Sequence, residues 1–570
     1  MSDATGADRR PSMLLLVGAS SAGTAFEWYD FFLFGTLASV LASTFTGGSS
    51  SMGFLFTLAA FAIGFFVRPF GAIVFGHIGD RHGRKRAFVQ TIVLMGASTT
   101  AIGLIPSFEV AGIVSPILLV LIRIVQGFAI GGEYGGAAIY VAEHAERSRR
   151  GLMTSWIQST AALGLLMALG VVLATRWILG EERFLAWGWR LPFLLSAGLL
   201  AVSLWIRLKL SETPEFERMR KEMLLSKSPL SEALRGANLK RVIVALCCIL
   251  LAQGAVWYTG HFYIQFFLER VLKVDGPLVN MLLITAVVTS AGAYVFFGWL
   301  SDRVGRKPVL MFGMLLAIIS YFPGFKYLTA NANPALEAAA RSAPVVLLAD
   351  QSACSLQFDL LGRRQPESAC DVFRAALTDA GVPFSMQHES GSAIARVSVG
   401  QDFVLEGELF SNDAAAISQQ AAELTQELQN VLLQAGYPAA AERDSLSAGK
   451  VLGIIILFMI SAAALYGPQA AALVELFPSS VRYTALSLPY NLGTGWVGGL
   501  LPVSAFALVA ATGDIYAGLY YPMVFTLISF VCTWLFLPET RGISLTQSGV
   551  VREEVGVDER IVQRESNEYV

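Results

Sequence analysis

The chain has 570 residues, of which 54% are hydrophobic and only 15% are charged. Soluble proteins carry roughly 25% charged residues, so this composition excludes an ordinary soluble protein and indicates a polytopic membrane protein. The formal net charge of −2 and the lack of a lysine- or arginine-rich tail argue against a nucleic acid as a partner.

Twelve apolar segments approach or exceed the roughly 20 residues that a helix needs to cross a bilayer. We call them span 1 to span 12, and they cover residues 14–42, 53–76, 87–106, 112–141, 152–178, 190–210, 241–268, 278–300, 308–328, 451–475, 484–511 and 517–537. Basic clusters at residues 81–86, 147–150, 207–241 and 303–307 and at Arg482 mark alternate connections. Because basic residues accumulate on cytoplasmic loops, this pattern predicts a multi-pass protein of the inner membrane with both termini in the cytoplasm.

The spans divide into two equal groups. A long charged connection separates six spans from six, which predicts an all-α membrane protein built from two six-helix repeats around a central cavity. The predicted units are an N-terminal bundle (1–210), a cytoplasmic linker (211–240), a C-terminal bundle (241–330 and 451–540), an α+β insert (331–450) and a cytoplasmic tail (541–570).

The insert between spans 9 and 10 has the composition of a soluble domain. By parity of the spans it lies outside the cytoplasm, in the periplasm or extracellular space. Strands are predicted at residues 345–349, 355–361 and 393–399, and helices at 367–380 and 412–435. These elements suffice for a small α+β core. Its residues leave open whether the insert binds an extracytoplasmic partner, covers the entrance or has neither role.

Two cysteines, Cys354 and Cys370, lie in the insert. An oxidising compartment favours a disulfide between them, and the alternative is two unpaired buried thiols. His388 is the only histidine in the insert, so no metal site is predicted there.

Charged side chains lie inside the first two spans. Glu27 and Asp30 are three residues apart and share one helix face. A charge inside a membrane span is a functional hypothesis by default, and the alternative is a solvated helix start at the cytoplasmic surface. Arg68 in span 2 needs a cavity or a carboxylate. Asp30 or Glu27 is its expected partner, and a purely structural ion pair is the alternative.

Span 4 carries the densest polar set in the chain. At about 100° per residue, Arg123, Gln126 and Glu133 fall on one face. A cation beside a titratable group suits contact with an anionic solute, and the alternative is a hydrogen-bonded helix contact with no role in transport. Gly127 and Gly131 are four residues apart and allow a neighbouring helix to approach closely.

Spans 7 and 11 hold further candidates for solute contact. In span 7 these are Gln253, Tyr258 and Gln265, although tyrosines also belong to interfacial belts. In span 11, Asn491 precedes a run of glycines that favours a deformable helix suited to gating. Together with Arg68 and Gln126 they form the predicted solute-binding set.

A short basic loop occurs twice in the chain. The pattern Asp-Arg-x-Gly-Arg-Lys occupies residues 80–85 between spans 2 and 3. It returns at residues 302–307 between spans 8 and 9, an offset of 222 residues (302 − 80). Each copy is interpreted as a tight hairpin held on the cytoplasmic side by its basic residues.

These loops resemble the signature of the major facilitator superfamily. Other stretches resemble its metabolite:proton symporter branch, which includes transporters of shikimate, α-ketoglutarate, citrate, proline and betaine. They are Glu27-Trp28-Tyr29-Asp30-Phe31, Val67-Arg68-Pro69-Phe70-Gly71, Arg123-x-x-Gln126-Gly127, Gly131-Gly132-Glu133, Trp187-Gly188-Trp189-Arg190-Leu191-Pro192-Phe193 and Glu475-Leu476-Phe477-Pro478. The stretch Leu537-Pro538-Glu539-Thr540-Arg541-Gly542 is similar to sugar porters, so sugars remain an alternative. The large insert departs from the family, which usually has a short turn there.

The resemblance implies a cytoplasmic latch and a coupling residue. The repeated loops would hold the two halves together on the cytoplasmic side. The candidate gate residues are Gly76, Asp80, Arg81, Gly83, Arg84, Lys85, Asp302, Arg303, Gly305 and Arg306. Arg123 would link proton binding to solute binding.

We therefore predict a proton-coupled symporter that imports a small polar metabolite, either an organic acid or a zwitterion. The proton would sit on Glu27, Asp30 or Glu133. No phosphate-binding glycine loop and no catalytic constellation is present, which predicts no enzyme activity and no cofactor. The expected partners are the solute, protons and the lipid bilayer. A solute sensor or osmosensor that uses the insert, and an efflux antiporter, remain alternatives.

Overall fold

The structure is a computed structural model that describes residues 13–46, 50–209, 212–350, 354, 368–389, 394–408 and 414–545. Within these residues, ten helices are long and apolar enough to cross a membrane. They form spans 3 to 12: Arg84–Leu104, Val114–His144, Arg147–Leu179, Arg190–Leu208, Gly236–Val271, Gly276–Val304, Arg306–Ala332, Ala448–Leu476, Arg482–Thr512 and Ala517–Phe536. Two more long helices, Met13–Thr36 and Ser50–His82, occupy the first two predicted spans. Shorter connecting helices are Ala38–Thr46, Phe108–Ala111, Glu181–Arg183, Pro214–Lys221 and Pro229–Ala233.

Spans 2 and 4 cross at close range because glycines line the crossing. A Cβ atom at Gly127 would collide with the carbonyl of Gly64, and one at Gly131 would collide with the carbonyl of Arg68. The close approach predicted at the span 4 glycines is therefore confirmed. It brings Arg68 next to the polar face of span 4.

Two spans of the C-terminal half depart from regular α-helix. Span 7 is wound as π-helix over Ala245–Leu250, Thr259–Tyr263 and Phe267–Val271, and span 11 over Asn491–Gly498. The irregular stretch of span 11 coincides with the glycine-rich segment that the sequence indicates. Such π segments are frequent at functional sites, where they redirect side chains within a helix.

The insert folds as a four-stranded sheet with helices. Its elements are α1 (Pro334–Ser342), β1 (Val345–Ala349), α2 (Ala369–Ala380), β2 (Phe384–His388), β3 (Ala395–Val399), β4 (Phe403–Gly407) and α3 (Ala414–Gln434). The strand order is β2-β1-β3-β4, with β1 and β2 parallel and the other pairs antiparallel. Cys354 and Cys370 form a disulfide, as predicted.

The central strands and the helices α2 and α3 of the insert agree with the sequence prediction, whereas α1 and the two edge strands were missed. β1 and β3 alternate buried and half-buried residues, which is the pattern that predicts a strand. β2 and β4 lie at the edges of the sheet and carry exposed polar residues such as Gln387 and Glu406, so they read as loop. The strand predicted at 355–361 lies outside the described residues.

The insert packs on two loops of the C-terminal half. The backbone N–H of Phe384 donates to the carbonyl of Gly513, between spans 11 and 12, at 3.0 Å. The N–H of Ala441 donates to the carbonyl of Lys273, between spans 7 and 8, also at 3.0 Å. These contacts tie the insert to one end of the spans that carry the π segments.

We expect Gly381→Ala to loosen this docking. Gly381 has φ +70°, and a Cβ there would collide with the carbonyl of Val271 at the end of span 7. Gly436 is the matched control, because it has φ +91° but open space around it. Alanine at either position strains the backbone. At Gly381 the added steric overlap should lower the free energy of unfolding by about 1–3 kcal/mol more. Thermal unfolding and protease sensitivity of the insert measure this, and equal effects of the two variants would contradict it.

Candidate functional site

Glu27 pairs with an arginine of span 6, not with Arg68 as expected. Nη2 of Arg207 lies 3.0 Å from Oε1 of Glu27, and both side chains are buried. Arg207 also stacks on the ring of Phe88 at 3.4 Å and donates to the carbonyl of that residue at 3.3 Å. A glycine at position 23 makes room for the guanidinium, since a Cβ there would lie 2.6 Å from Nη2. In the sequence, Arg207 reads as one more basic residue of a cytoplasmic flank.

Asp30 has hydroxyl partners rather than a cation. The hydroxyl of Ser196 donates to Oδ1 of Asp30 at 2.6 Å. The hydroxyl of Thr99 donates to the carbonyl of Met95 at 3.1 Å and lies near the same carboxyl group. Across the described residues, no lysine, arginine or histidine nitrogen lies within 4.0 Å of this buried carboxyl group. Asp30 is therefore held in place without being neutralised by an ion pair.

A chain of polar groups connects Asp30 to Arg123. Nη1 of Arg123 donates to the side-chain oxygen of Gln126 at 2.8 Å, and the amide nitrogen of Gln126 donates to the hydroxyl of Thr99 at 2.7 Å. Arg123 is buried under the ring of Phe34, 4.0 Å from its centroid. Gln126, predicted to contact solute, is instead engaged behind the cavity by these two partners.

A cavity lies between spans 1, 2, 4, 5 and 11. Its walls include Glu27, Arg68, Glu133, Gln158, Trp28, Phe31, Tyr134 and Tyr490. At about 30 Å³ it has room for one or two water molecules, so the halves are closed around it. It combines two carboxyl groups, one guanidinium and aromatic walls, which suits a small charged solute.

Arg68 faces this cavity without a carboxylate partner. Its guanidinium lies 4.2 Å from the ring centroid of Phe65 and 5.0 Å from that of Phe31. No carboxylate oxygen of the described residues lies within 4.0 Å of it. Tyr258, another predicted residue, contacts the same group and packs edge-on against Phe65 at 5.9 Å.

Two tyrosines and a glutamine of the cavity wall were missed from the sequence. The rings of Tyr134 and Tyr490 stack across the two halves with centroids 3.8 Å apart, and the amide of Gln158 donates to the hydroxyl of Tyr134 at 2.8 Å. Single tyrosines and glutamines in apolar spans carry little pattern. Only the stacking of span 4 against span 11 shows that they face the cavity.

Gln265 and Asn491 do not line this cavity, contrary to prediction. The amide of Gln265 donates to the side chain of Glu269 at 3.1 Å, near the outer end of span 7. The amide of Asn491 donates to the carbonyl of Gly131 at 2.8 Å and so joins span 11 to span 4. Helix rotation, which the sequence leaves undetermined, directs both groups elsewhere.

One side of the cavity is closed by aromatic rings of spans 1 and 7. Trp28 and Trp257 lie 6.2 Å apart, and Phe32 and Phe262 lie 6.4 Å apart, measured between ring centroids. These contacts join the two halves above the cavity.

The end of the cavity that carries the basic hairpins is closed by two aspartates that cap helices of the opposite half. Asp80 accepts the backbone N–H groups of Tyr483 at 3.0 Å and Thr484 at 2.9 Å, at the start of span 11. In the other direction, Asp302 accepts those of Gly151 at 2.8 Å and Leu152 at 2.7 Å, in the first turns of span 5. A carboxylate at a helix N-terminus satisfies free N–H groups and the helix dipole, so each contact binds one half to the other.

Ion pairs surround both caps with the same arrangement. Arg84 binds Asp80 at 2.5 Å, and Arg306 binds Asp302 at 2.7 Å. A further set was missed: Glu143 pairs with Arg482 at 2.8 Å, and Glu475 pairs with Arg150 at 2.7 Å. The offsets from Glu143 to Glu475 and from Arg150 to Arg482 are both 332 residues (475 − 143 and 482 − 150). The 332-residue offset exceeds the 222-residue offset by 110 residues (332 − 222), close to the 120 residues of the predicted insert (331–450), so this repeat was detectable from the sequence.

The remaining predicted gate residues divide into structural glycines and outward-facing basic side chains. Gly83 and Gly305 have φ of +118° and +111°, which favours glycine at each hairpin. Gly76 lies against Thr484, since a Cβ there would be 2.8 Å from its Cα atom. Three basic side chains do not join the halves, contrary to prediction. Lys85 donates to the carbonyl of Leu208, and Arg81 and Arg303 are exposed.

A segment of the linker also reaches the end of the molecule that the Asp80 and Asp302 caps close. The hydroxyl of Ser479 donates to Oε1 of Glu215 at 2.7 Å. Burial alone would raise the pKa of Glu215, but hydrogen bonds from Arg218 and Ser479 hold this pKa below its ordinary value. Glu215 therefore stays ionised at neutral pH next to the start of span 11.

Comparison with known proteins gives matches over most of the chain. The family model "Major Facilitator Superfamily" matches residues 21–330, and "Sugar (and other) transporter" matches residues 403–551. The shikimate transporter of Escherichia coli (strain K12) is 39% identical over 321 residues, which cover 55% of this chain and 72% of that protein. The proline/betaine transporter of the same organism is 34% identical over 323 residues, covering 55% and 65%. Its inner membrane metabolite transport protein YhjE is 36% identical over 373 residues, covering 64% and 82%.

Among solved structures, the proton:xylose symporter XylE matches 94% of this chain and 98% of that chain, with a TM-score of 0.61 at 15% identity. At this identity the likeness shows the fold alone. It confirms the fold class that the sequence predicts.

Proposed function

Because this chain belongs to the major facilitator superfamily, we propose that it is a proton-coupled symporter that imports a small carboxylate-bearing metabolite by alternating access. Family membership makes it a multi-pass membrane transporter and not an enzyme. The observation that carries the proposal is the contrast between two neighbouring carboxyl groups: Glu27 has a cation at 3.0 Å, whereas Asp30 is held by hydroxyl groups.

Asp30 is proposed as the proton-binding group. A lone carboxylate in a dry interior is costly unless it binds a proton or a cation. Thr99 and Gln126 lie between Asp30 and Arg123. Proton binding to Asp30 would therefore alter the hydrogen bonds that hold Arg123, which supports the coupling role of that arginine. Glu27 and Glu133 remain second candidates, since both line the cavity.

Arg68 is proposed as the group that binds the solute carboxylate. A buried guanidinium needs an anionic partner, and the nearest groups described around Arg68 are aromatic. A carboxylate can accept two parallel hydrogen bonds from one guanidinium. The similarity to the shikimate and proline/betaine transporters supports this choice, because shikimate, proline and betaine all carry a carboxylate.

The closed cytoplasmic caps and the closed aromatic layer together fit an occluded state of the transport cycle. In the proposed cycle, joint binding of proton and solute favours the state in which the Asp80 and Asp302 caps open, because a ligand shifts an equilibrium by its differential affinity. The basic hairpins support a cytoplasmic location of the caps. The insert, on the opposite ends of the spans, would then face the outside.

Uptake into proteoliposomes tests the proposal directly. Radiolabelled shikimate, proline, glycine betaine and xylose are supplied with an imposed inward proton gradient, with and without a protonophore. We expect accumulation of a carboxylate-bearing solute that collapses with the gradient. Accumulation of solute only when the proton gradient is directed outward would favour an efflux antiporter. Uptake of xylose and of none of the carboxylates would contradict the role of Arg68.

Asp30→Asn is expected to uncouple solute from protons. The amide keeps the hydrogen bond with Ser196 but cannot bind a proton. Proton-driven accumulation should therefore fall at least about tenfold, and solute counterflow without a gradient should persist. Asp514→Asn, in the exposed loop between spans 11 and 12, is the control and should behave as wild type. Full gradient-driven accumulation by the Asp30 variant would exclude Asp30 as the proton site.

A further inference from the structure

Two glutamines of the C-terminal half are buried without hydrogen-bond partners. Gln253 in span 7 and Gln469 in span 10 are both 0% exposed. Neither the amide nitrogen nor the side-chain oxygen of either residue has a partner among the described residues. An unpaired amide in a membrane interior is costly, so four such atoms in one half of the molecule call for a physical reason.

The two glutamines lie at the same depth on neighbouring spans. Gln253 is four residues before Trp257, and Gln469 is three residues after Tyr466. The rings of Trp257 and Tyr466 meet with centroids 6.0 Å apart. Because spans 7 and 10 run in opposite directions and side chains three or four apart share a helix face, both amides lie about one turn to the cytoplasmic side of this contact.

The same ring contact borders the solute cavity. Trp257 lies 6.2 Å from Trp28, which lines the cavity. Tyr466 lies within electrostatic reach of Tyr490, which also lines it. The glutamines thus stand behind the cavity wall that the C-terminal half supplies, opposite the arginine and carboxyl groups supplied by spans 1, 2 and 4.

We propose that Gln253 and Gln469 form a hydroxyl-binding subsite, so that the transported solute is a hydroxylated carboxylate rather than a quaternary-ammonium zwitterion. This inference rests on the proposed function, in which Arg68 holds the carboxylate. A primary amide offers both donor and acceptor atoms, which match alcohol groups that also donate and accept. A trimethylammonium group has no N–H or O–H to offer, and a lone amide does not neutralise its charge.

Binding to the purified full-length protein tests the subsite with matched probes. Shikimate carries a carboxylate and three hydroxyl groups on a cyclohexene ring, and 1-cyclohexene-1-carboxylate has the same ring and carboxylate without hydroxyls. Glycine betaine is the third probe. We expect wild type to bind shikimate at least about tenfold more tightly than the other two, because a site built to hydrogen-bond a hydroxyl discriminates against the analogue that lacks it.

Gln253→Leu and Gln469→Leu should each reduce affinity for shikimate about tenfold or more and change affinity for the unhydroxylated acid less than about threefold. Gln265→Leu is the matched control, because it lies on span 7 but bonds to Glu269 near the outer end, and it should change neither. If a leucine variant fails to assemble, Gln→Asn at the same position keeps the amide but shortens its reach, and the same loss of discrimination is expected.

The outcomes separate this inference from the proposed function. If wild type binds both acids equally, or if the variants lose both acids equally, the hydroxyl subsite is refuted while carboxylate transport stands. If glycine betaine binds more tightly than shikimate, the subsite is refuted as well. If wild type binds none of the three probes and takes up none, the proposed function fails and the subsite with it.

Discussion

Arg207→Gln is expected to be severely destabilising, although Arg207 reads in the sequence as an ordinary basic flank. The substitution removes the cation that pairs with Glu27 in a buried site. Removing one partner of a buried ion pair costs about 3–5 kcal/mol. We therefore expect a strongly lowered melting temperature in detergent and loss of transport.

The double variant Glu27→Gln, Arg207→Gln gives this prediction its control. Replacing both partners removes the uncompensated charge, so most of the lost stability should return. Arg303→Gln provides a second comparison, because this arginine is exposed and stacks on Trp299 at 4.0 Å, and its loss should change stability by less than about 0.5 kcal/mol. If the double variant is as unstable as Arg207→Gln, the pairing with Glu27 is not what stabilises this region.

The second large effect is expected at the Asp80 and Asp302 caps. Asp80→Asn keeps one oxygen acceptor but removes the charge that binds Arg84 and two N–H groups of span 11. Hydrogen bonds to charged groups contribute about 1.5–3 kcal/mol, and about 1.4 kcal/mol corresponds to a tenfold shift in population. Opening toward the cytoplasm should therefore become at least roughly tenfold more populated.

A cysteine in the cavity wall reports this opening. Ala137 is buried and lines the cavity, so Ala137→Cys should be labelled by a membrane-impermeant maleimide from the cytoplasmic side only when the caps open. We expect labelling to accelerate at least about tenfold when Asp80→Asn or Asp302→Asn is added. Asp275→Asn is the control and should leave labelling unchanged. Its partner Arg443 lies in the insert, away from the caps, and the pair is largely exposed. Unchanged labelling in both cap variants would show that the caps do not hold this state.

The sequence motif predicted the two aspartates of the caps but not the helices that they cap. The repeat at residues 80–85 and 302–307 identified Asp80 and Asp302, and their local contacts with Arg84 and Arg306 follow from a spacing of four on a helix. That each aspartate caps a helix of the opposite half depends on how two halves dock. The partners at Tyr483 and Gly151 are 403 and 151 residues away in the chain, and no local pattern specifies such a pairing.

In the central site, too, the sequence identified the charged residues but not their partners. Burial of charge in an apolar helix is a local property, so the sequence alone was sufficient to single out Glu27, Asp30, Arg68, Arg123 and Glu133. The choice of partner is not local. Arg207 pairs with Glu27 because span 6 crosses span 1 at that height and a glycine admits the guanidinium, whereas Arg68 is left facing the cavity.

The number of spans, the expected sidedness and the place of the insert in the chain are predictions from hydropathy and charge, because a bilayer imposes length and polarity on each segment separately. The walls of the cavity follow from helix rotation and docking instead. Tyr134 and Tyr490 become a stacked pair, and Gln265 and Asn491 turn elsewhere, only when the two halves pack together. A span can face the lipid with any of several apolar faces at similar free energy. Contacts between distant spans decide which face is turned to the lipid and which to the cavity.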